Sequence, residues 1–371
     1  MRLHSLGAAA AVAVLAWAGA SLAGVVNPDI SVIGQPFLFL TNAPDDANRN
    51  RLQLDVGETE FVFDAYLNPY ARGTVVGALS SEGFALEEGY FSLLRGLPLG
   101  LALKGGKYRV GFGRLNPAHP HTYPFAARFD VLAAYLPGDE SFNETGLSLS
   151  ERVPVYGDFS VNLALDWLQG DSFRIAREPS GEPGDPLAQA GDDQAGEVRP
   201  AFNGRLSGFT LLGEQSGLEF GLSAAGGTNN VAAGSRSYIY GADAKAKLWT
   251  SPRAYLVLQG ELLQLDRDDA GWDPVDGYTR SHLTPLGGYL YADYNWAMRY
   301  DAGISFESYE RPVAGTPTDQ SFGAFAGFAL LEETTVFRAD WRRHLPDGAD
   351  AFDDFTLRVI FSMGPHKAHQ F

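Results

Sequence analysis

The feature that most constrains this chain is a unit of about ten residues, alternately apolar and polar, that recurs from Ile30 onward. A period of two residues puts successive side chains on opposite faces of a β-strand. One unit shows the pattern clearly, with these apolar positions on one face: Phe159, Val161, Leu163, Leu165 and Trp167. No convincing amphipathic helix follows the first residues, so the sequence predicts an all-β fold.

The connections between these units alternate in length. The short ones lie at 154–157, 213–216, 250–252, Asn295 and 332–333. The long, polar ones lie at 169–199, 226–236, 267–282, 310–319 and 345–353. Short turns on one side and long loops on the other are typical of a barrel inserted into the outer membrane from the periplasm. A soluble β-sandwich is not expected to separate its loops in this way.

Counting the units predicts a transmembrane, antiparallel, up-and-down β-barrel of sixteen strands, with fourteen as the alternative. The predicted spans are 30–40, 51–66, 70–80, 84–94, 98–114, 141–153, 157–169, 200–212, 217–227, 237–250, 253–266, 283–295, 296–309, 320–330, 334–344 and 353–363. Aromatic residues near the turns, such as Tyr294 and Trp296, suit the two membrane interfaces, where amphipathic rings concentrate. We therefore expect outer-membrane lipid to be a partner.

The first residues indicate export. A short basic start at Arg2 and His4 precedes an apolar run at 6–18 and small residues up to Ala23, the pattern of a cleaved signal peptide over residues 1–23. Residues 24–371 would then form the barrel. The chain has no cysteine and a net charge of -17, which excludes thiolate metal sites and argues against nucleic-acid binding. We expect 169–199 to be a mobile extracellular loop and 364–371 a periplasmic tail.

The stretch 104–144 begins as a strand and becomes a long loop. Its outward face is predicted to be Tyr108, Val110 and Phe112, after a bulge at Gly105–Gly106 where the outward set changes parity. Prolines from Pro117 onward end the strand, since proline has no N–H to donate. The apolar face of this strand meets either lipid or a core.

Several motifs resemble those of one group of bacterial outer-membrane porins. They are Asn27–Ile33, Gly57–Glu60, Asn68–Tyr70, Leu86–Tyr90, Gly106–Arg114 with Asn116, His119–His121, and Gly364-Pro365-His366 with His369 and Phe371. The group is similar to the phosphate-selective porins and is sometimes described as zinc-regulated outer-membrane proteins. The resemblance implies a barrel that forms homotrimers. It doesn't extend to phosphate selectivity, because the inward side chains here are of both charge signs.

The loop 115–143 joins the fifth and sixth predicted strands. In porins of this size the loop at that place commonly folds into the lumen and narrows it, which would put Arg114, His119, His121 and Arg128 at a constriction. The alternative is a surface loop fixed by its prolines, with histidines that cap backbone groups.

Charged residues of both signs lie on the predicted lumen face. They are Lys107, Arg109, Glu219, Asp243, Lys245, Lys247, Asp301, Glu307, Arg338, Asp340 and Arg342. An Arg-Asp-Arg alternation on one face produces either a transverse field across a water-filled pore or a salt-bridged filling of the interior. Two histidine pairs, His119 with His121 and His366 with His369, could bind Zn²⁺, although no catalytic metal motif accompanies them.

Passive diffusion of small hydrophilic solutes or ions, including divalent metal cations, is the leading functional hypothesis. It requires no cofactor. A zinc-linked receptor and a closed-lumen structural or adhesive barrel are the alternatives. An energy-coupled receptor would need a plug ahead of a 22-strand barrel. An enzyme would rely on His282 and His344, which lack a nucleophile motif, so we expect no catalysis.

Overall fold

The computed structural model describes residues 28–138, 141–187, 199–330 and 334–364. One short α-helix, α1, spans Asp130–Tyr135, and single 3₁₀ turns lie at Pro98–Gly100, Pro120–Thr122 and Asp171–Phe173. The strand segments are β1 (Asp29–Gly34), β2 (Phe37–Thr41), β3 (Gln53–Asp55), β4 (Thr59–Tyr66), β5 (Ala71–Ser80), β6 (Gly83–Leu93), β7 (Ala102–Arg109), β8 (Asn143–Tyr156), β9 (Phe159–Leu168), β10 (Ala201–Leu212), β11 (Ser216–Asn230), β12 (Ser235–Ser251), β13 (Ala254–Asp273), β14 (Gly277–Leu283), β15 (Leu286–Trp296), β16 (Tyr300–Glu310), β17 (Thr318–Ala329), β18 (Thr335–Leu345) and β19 (Phe352–Met363). No helix in these described ranges is long and apolar enough to cross a membrane.

These segments form one closed antiparallel sheet. Three barrel strands are each interrupted once, so that β1 continues into β2, β3 into β4, and β14 into β15. The nineteen segments therefore make sixteen barrel strands. The last strand, β19, pairs with both β1 and β2 and closes the barrel. The predicted sixteen-strand barrel is confirmed.

The two faces of the wall differ as the alternation predicts. Apolar side chains in mid-strand face outward, for example Leu290 and Ile304, which are 57% and 66% exposed. Polar and charged side chains on the opposite face, such as Asp243 and Glu307, are buried inside the barrel. Lipid outside and polar contacts inside satisfy both sets of side chains.

Aromatic rings form a row on the outer face near the short turns. Tyr294, Trp296, Tyr300, Phe328 and Phe337 stack in sequence, with centroid separations of 6.1, 5.6, 5.2 and 6.5 Å. Such rows lie at the membrane interface because their rings are amphipathic. Tyr294 and Trp296 are thus placed on the outer face near a short turn, as expected for an interfacial belt.

Leu290 lies in the middle of the outward apolar band, six residues before the aromatic Trp296. We expect Leu290→Lys to lower the free energy of unfolding in lipid vesicles by ~2–4 kcal/mol, because the ammonium would be placed near the bilayer midplane. Val275→Lys is the matched control, since Val275 lies at a hairpin tip and is 89% exposed. Equal stability of the two variants in urea titrations would contradict the outward assignment.

Two predicted loops are mostly strand. The prediction of a loop at 267–282 is wrong, because β13 runs to Asp273 and β14 begins at Gly277. The loop predicted at 226–236 is likewise reduced to a short turn between β11 and β12. These hairpins extend past the apolar band, where neither face needs apolar residues, so the alternation that marks a strand disappears.

The fifth barrel strand also differs from its prediction. The register of β7 is continuous with both neighbours, so the predicted bulge at Gly105–Gly106 is wrong. The register shift lies in β6 instead, where Glu87 is left between the paired residues Leu86 and Glu88. Gly106 has φ +133°, a conformation that glycine adopts without strain.

The continuous register reverses the predicted faces of β7. Tyr108 points into the barrel, and its hydroxyl donates to Asp166 at 2.9 Å. Val110 and Phe112 are fully buried, so the predicted outward set is wrong. The position of Lys107 also contradicts its predicted lumen assignment. It pairs across from Gly89, and its Nζ donates to a backbone carbonyl of β6 at 2.8 Å.

Candidate functional site

Residues 110–142 leave the barrel wall and fold into the interior, and we refer to them as the inward segment. Its two ends meet where the Val110 N–H donates to the carbonyl of Phe142 at 2.9 Å. The Asn116 side chain fastens this junction. Its Nδ2 donates to the carbonyls of Val110 and Phe142 at 2.8 and 3.0 Å, and its Oδ1 accepts the Phe142 N–H at 2.9 Å.

The inward segment carries its own apolar core. Phe125 and Phe129 have ring centroids 4.9 Å apart, and Phe125 also meets Tyr291 and Phe325 of the wall at 5.3 and 5.8 Å. Phe129 stacks on Tyr289 at 4.1 Å. The fully buried members of this core include Tyr108, Val110, Phe112, Phe125, Phe129, Val131, Leu132 and Phe142. The apolar alternation of β7 is therefore satisfied by a core inside the barrel and not by lipid.

Carboxylates of the wall hold the segment by its backbone. Glu261 Oε1 accepts the N–H groups of Arg114 and Leu115 at 2.7 and 2.9 Å and the hydroxyl of Tyr289 at 2.6 Å. Glu307 Oε2 accepts the Val131 N–H at 2.7 Å, in the first turn of α1. Buried carboxylates need such donors, because an unpaired charge away from water is costly.

The predicted Arg-Asp-Arg series on β18 has two roles in the structure. Arg342 donates to the carbonyls of Ala127 and Arg128 at 2.9 and 3.2 Å, and Asp340 accepts the Ala126 N–H at 3.3 Å. Arg338 instead faces Asp301 of the wall at 3.4 Å. Asp340 and Arg342 thus hold the inward segment in place, whereas Arg338 forms a salt bridge within the wall.

A group of carboxylates and imidazoles lies where the inward segment touches β4 and β6. We call Glu58, Glu60, Glu87, Glu88, His119 and His121 the His–Glu cluster. The Nδ1 atom of His119 lies 3.1 Å from Glu60 and 3.4 Å from Glu87, and its Nε2 lies 2.8 Å from Glu88. The Nδ1 atom of His121 lies 2.9 Å from Glu60. Both nitrogens of one imidazole therefore face carboxylates.

Local structure explains why these groups converge. Glu60 lies in β4, and Glu58 lies directly before this strand, in the interruption that follows β3. The register shift in β6 allows the adjacent Glu87 and Glu88 both to be buried inside the barrel. A 3₁₀ turn at Pro120–Thr122 places the rings of His119 and His121 in a stack, 5.7 Å apart.

Electrostatics at the cluster favour positive charge. Burial alone lowers the pKa of His119, but its contacts with Glu60, Glu87 and Glu88 outweigh burial and raise that pKa well above its usual value. Arg109 adds a further cation, since its Nη2 donates to both oxygens of Glu87 at 3.2 Å. The cluster thus stabilises a cation at the position of His119.

A cavity of about 900 Å³ lies between the inward segment and the wall. Its basic side chains are Arg114, Arg152, Arg205 and Lys245, and its acidic side chain is Glu219. Arg114 forms a salt bridge with Glu219 across this space, and Arg205 pairs with the wall residue Asp243 at 2.6 Å. His119 and His121 also line the cavity, so the His–Glu cluster borders it.

Comparison with known proteins gives a distant sequence relative and several similar folds. No protein-family model matches the chain. An uncharacterized protein of Aquifex aeolicus (strain VF5) is 28% identical over 343 residues, covering 84% of this chain and 69% of that protein. The anion-selective porin of Comamonas acidovorans has a TM-score of 0.59 at 10% identity, covering 91% of this chain and all 100% of the other.

Two further solved structures have a similar fold. The outer-membrane channel DcaP of Acinetobacter baumannii has a TM-score of 0.57 at 9% identity, covering 91% of this chain and 97% of that one. OmpT of Vibrio cholerae, in a form described as a trimer, has a TM-score of 0.55 at 9% identity, covering 92% and 100%. The chain has the fold of an outer-membrane porin.

Within this porin fold, the predicted site residues separate into groups. Arg114 borders the cavity, and Arg128 donates to Asn116 Oδ1 at 3.2 Å near the base of the inward segment. Arg109, His119 and His121 join the His–Glu cluster. The predicted metal residues His366 and His369 lie outside the described residues, as does the signal peptide.

Sequence reasoning did not select the carboxylates that complete the site. Glu60, Glu87 and Glu88 stood only in motifs of the family resemblance, and Glu261 was not among the predicted lumen residues. The alternation of Glu58 and Glu60 was an available signal, because two charges on one strand face point to a polar interior. The adjacent pair in β6 gave no usable signal, since it requires the bulge to be known first.

Proposed function

We propose that the protein is an outer-membrane channel through which small hydrophilic solutes and ions diffuse passively, with the inward segment as its constriction. The observation that supports this most is the charged cavity of about 900 Å³ inside a closed sixteen-strand barrel. Pore width and the charges that line a constriction determine which solutes pass. The inward segment contains the four residues predicted at the constriction, which would influence the passage of solutes: Arg114, His119, His121 and Arg128.

The lining supports a preference for small anions. Two of the four basic side chains at the cavity are in ion pairs, Arg114 with Glu219 and Arg205 with Asp243. Arg152 and Lys245 add positive charge beyond these pairs, so the lining favours negative solutes. The similar structure from Comamonas acidovorans is described as anion-selective. Divalent metal cations are also an expectation from the sequence, and the side chains that could bind them belong to the His–Glu cluster and not to the basic wall.

The test is single-channel recording of the refolded full-length protein in a planar bilayer. Open steps would establish a channel, and the reversal potential in a salt gradient would give the sign of its selectivity. Absence of steps from a barrel with native circular dichroism would overturn the proposal.

Charge reversal at the cavity gives a sharper result. We expect Arg152→Glu combined with Lys245→Glu to shift the reversal potential toward cation selectivity, because two of the four basic charges facing the solute become acidic. The matched control reverses Arg49 and Arg51, which are exposed in the connection between β2 and β3. An equal shift in the control would locate the selectivity outside the barrel.

A closed barrel with a structural or adhesive role is the second candidate. The aromatic core of the inward segment favours it, because buried rings such as Phe125 and Phe129 exclude water from their side of the interior. Bilayer recording separates the two candidates directly, since only an open channel conducts.

We also propose a homotrimer, which the resemblance implies and which one similar structure is described as adopting. Native mass spectrometry in detergent measures the number of chains in the oligomer.

An enzymatic role has little support. His282 contacts Asp268 at 3.0 Å and His344 contacts Asp354 at 3.1 Å, and no serine hydroxyl is hydrogen-bonded to either imidazole within the described part of the chain.

A further inference from the structure

We propose that the His–Glu cluster is a binding site for one divalent transition-metal ion, with His119, His121 and Glu60 as ligands and Glu87 as the fourth. The proposal concerns a second property of the molecule, since the site lies beside the cavity and its occupancy can be measured without any conductance. Such an ion would join β4 and β6 of the wall to the inward segment.

The spacing of the ligand atoms carries the proposal. Zinc bonds to nitrogen and oxygen are ~2.0–2.2 Å long, so two ligands at a tetrahedral ion lie roughly 3.3–3.6 Å apart. The Nδ1 atom of His119 lies 3.1 Å from Glu60 Oε2 and 3.4 Å from Glu87 Oε2. One ligand atom from each of Glu60, His119 and His121 lies within 4.8 Å of the others. The two distances from His119 Nδ1 are close to those between neighbouring ligands of one tetrahedral ion.

Unsatisfied buried atoms give an independent sign of a ligand. Glu60 is 0% exposed, yet its Oε2 atom has no hydrogen-bond partner. The Nδ1 atom of His119 is also buried and also lacks a hydrogen-bond partner. These two atoms lie 3.1 Å apart but are not aligned for a hydrogen bond with each other. Buried polar atoms are nearly always paired, and a shared cation satisfies both at once.

The charge of the cluster requires compensation. Glu58, Glu60, Glu87 and Glu88 bring four carboxylates together, whereas Arg109 is the guanidinium that faces them through Glu87. Removing several carboxylates from water is costly unless cations accompany them. A divalent ion bound to His119 in place of its proton supplies two positive charges inside the cluster, where the imidazolium supplies one.

The mixture of ligands selects the class of metal. Two imidazoles with carboxylates suit Zn²⁺ and neighbouring transition metals, whereas Ca²⁺ and Mg²⁺ prefer oxygen ligands alone. The absence of cysteine from the sequence excludes a thiolate site. Zn²⁺ is therefore the probe for this site, and Mg²⁺ is the comparison ion.

The experiment is a zinc titration of the refolded full-length protein in detergent, stripped beforehand with a chelator. Calorimetry and elemental analysis after dialysis are expected to give one Zn²⁺ per chain, with no heat from Mg²⁺ at the same concentration. The melting temperature should rise with zinc, because a ligand that binds only the folded state stabilises it. Zinc should also protect the inward segment from proteolysis.

Three variants test the assignment of ligands. We expect His119→Gln, and separately Glu60→Gln, to weaken zinc affinity by roughly ten-fold to 100-fold or more. Glu60→Gln changes one atom of a buried side chain, so it serves if His119→Gln misfolds, which circular dichroism reports. His344→Gln is the matched control, because His344 also contacts carboxylates, Asp354 at 3.1 Å and Asp130 at 3.6 Å. It should bind zinc like the wild type.

Several outcomes would overturn the site. These are an absence of binding at millimolar zinc, an unchanged affinity in a folded Glu60→Gln variant, and loss of the bound zinc only when His366 and His369 are replaced. The last would move the metal to the chain terminus. Binding without conductance would retain the metal site and reject the channel, so the two proposals fail separately.

Discussion

Deletion of residues 117–124 is expected to raise single-channel conductance several-fold. These residues carry His119 and His121 and border the cavity, so their removal widens the narrowest part of the proposed path. The remaining segment keeps the backbone bonds of Val131 and Ala126 to the wall. Planar-bilayer recordings of both proteins under one salt concentration measure the change.

A deletion of equal size outside the barrel is the matched control. Removing 268–271 together with 279–282 shortens the hairpin of β13 and β14 by four paired residues from each strand and keeps its turn. This hairpin extends beyond the apolar band, so conductance should not change. Unaltered conductance in the 117–124 deletion, from a folded barrel, would show that the segment does not limit the flow of ions.

Replacement of Phe125 by alanine is expected to have the largest effect on stability. Phe125 is fully buried and its ring contacts Tyr123, Phe129, Tyr291 and Phe325. Truncating a buried phenylalanine costs ~3–5 kcal/mol, because transfer free energy is lost and a cavity remains. Guanidinium titrations in lipid vesicles measure the loss, and faster proteolysis of the inward segment should accompany it.

Phe322→Ala is the control for Phe125→Ala. Phe322 faces outward and is 44% exposed, and its ring centroid lies 4.9 Å from that of Phe306. Lipid chains can refill the space that its ring leaves, so we expect a clearly smaller loss of stability. If the two variants unfold alike, the core of the inward segment does not contribute to the stability of the barrel.

The sequence predicted the barrel well because the membrane imposes its rule locally. Each strand must be apolar toward lipid and polar toward the interior, so every membrane-spanning strand alternates apolar and polar residues with a period of two. The prediction was wrong where that rule ends. The extended hairpin of β13 and β14 lies beyond the lipid, and Tyr108 meets an apolar core inside the barrel.

The sequence by itself predicted sixteen strands, with fourteen as the alternative, together with their order and most of the outward apolar face, since these follow from neighbouring residues. Only the tertiary structure decided which side chains meet inside. His121 contacts Glu60 across 61 residues of chain, and the Arg114 N–H donates to Glu261 across 147. Such contacts exist only after the barrel closes and the inward segment packs, because closure brings distant strands around one interior.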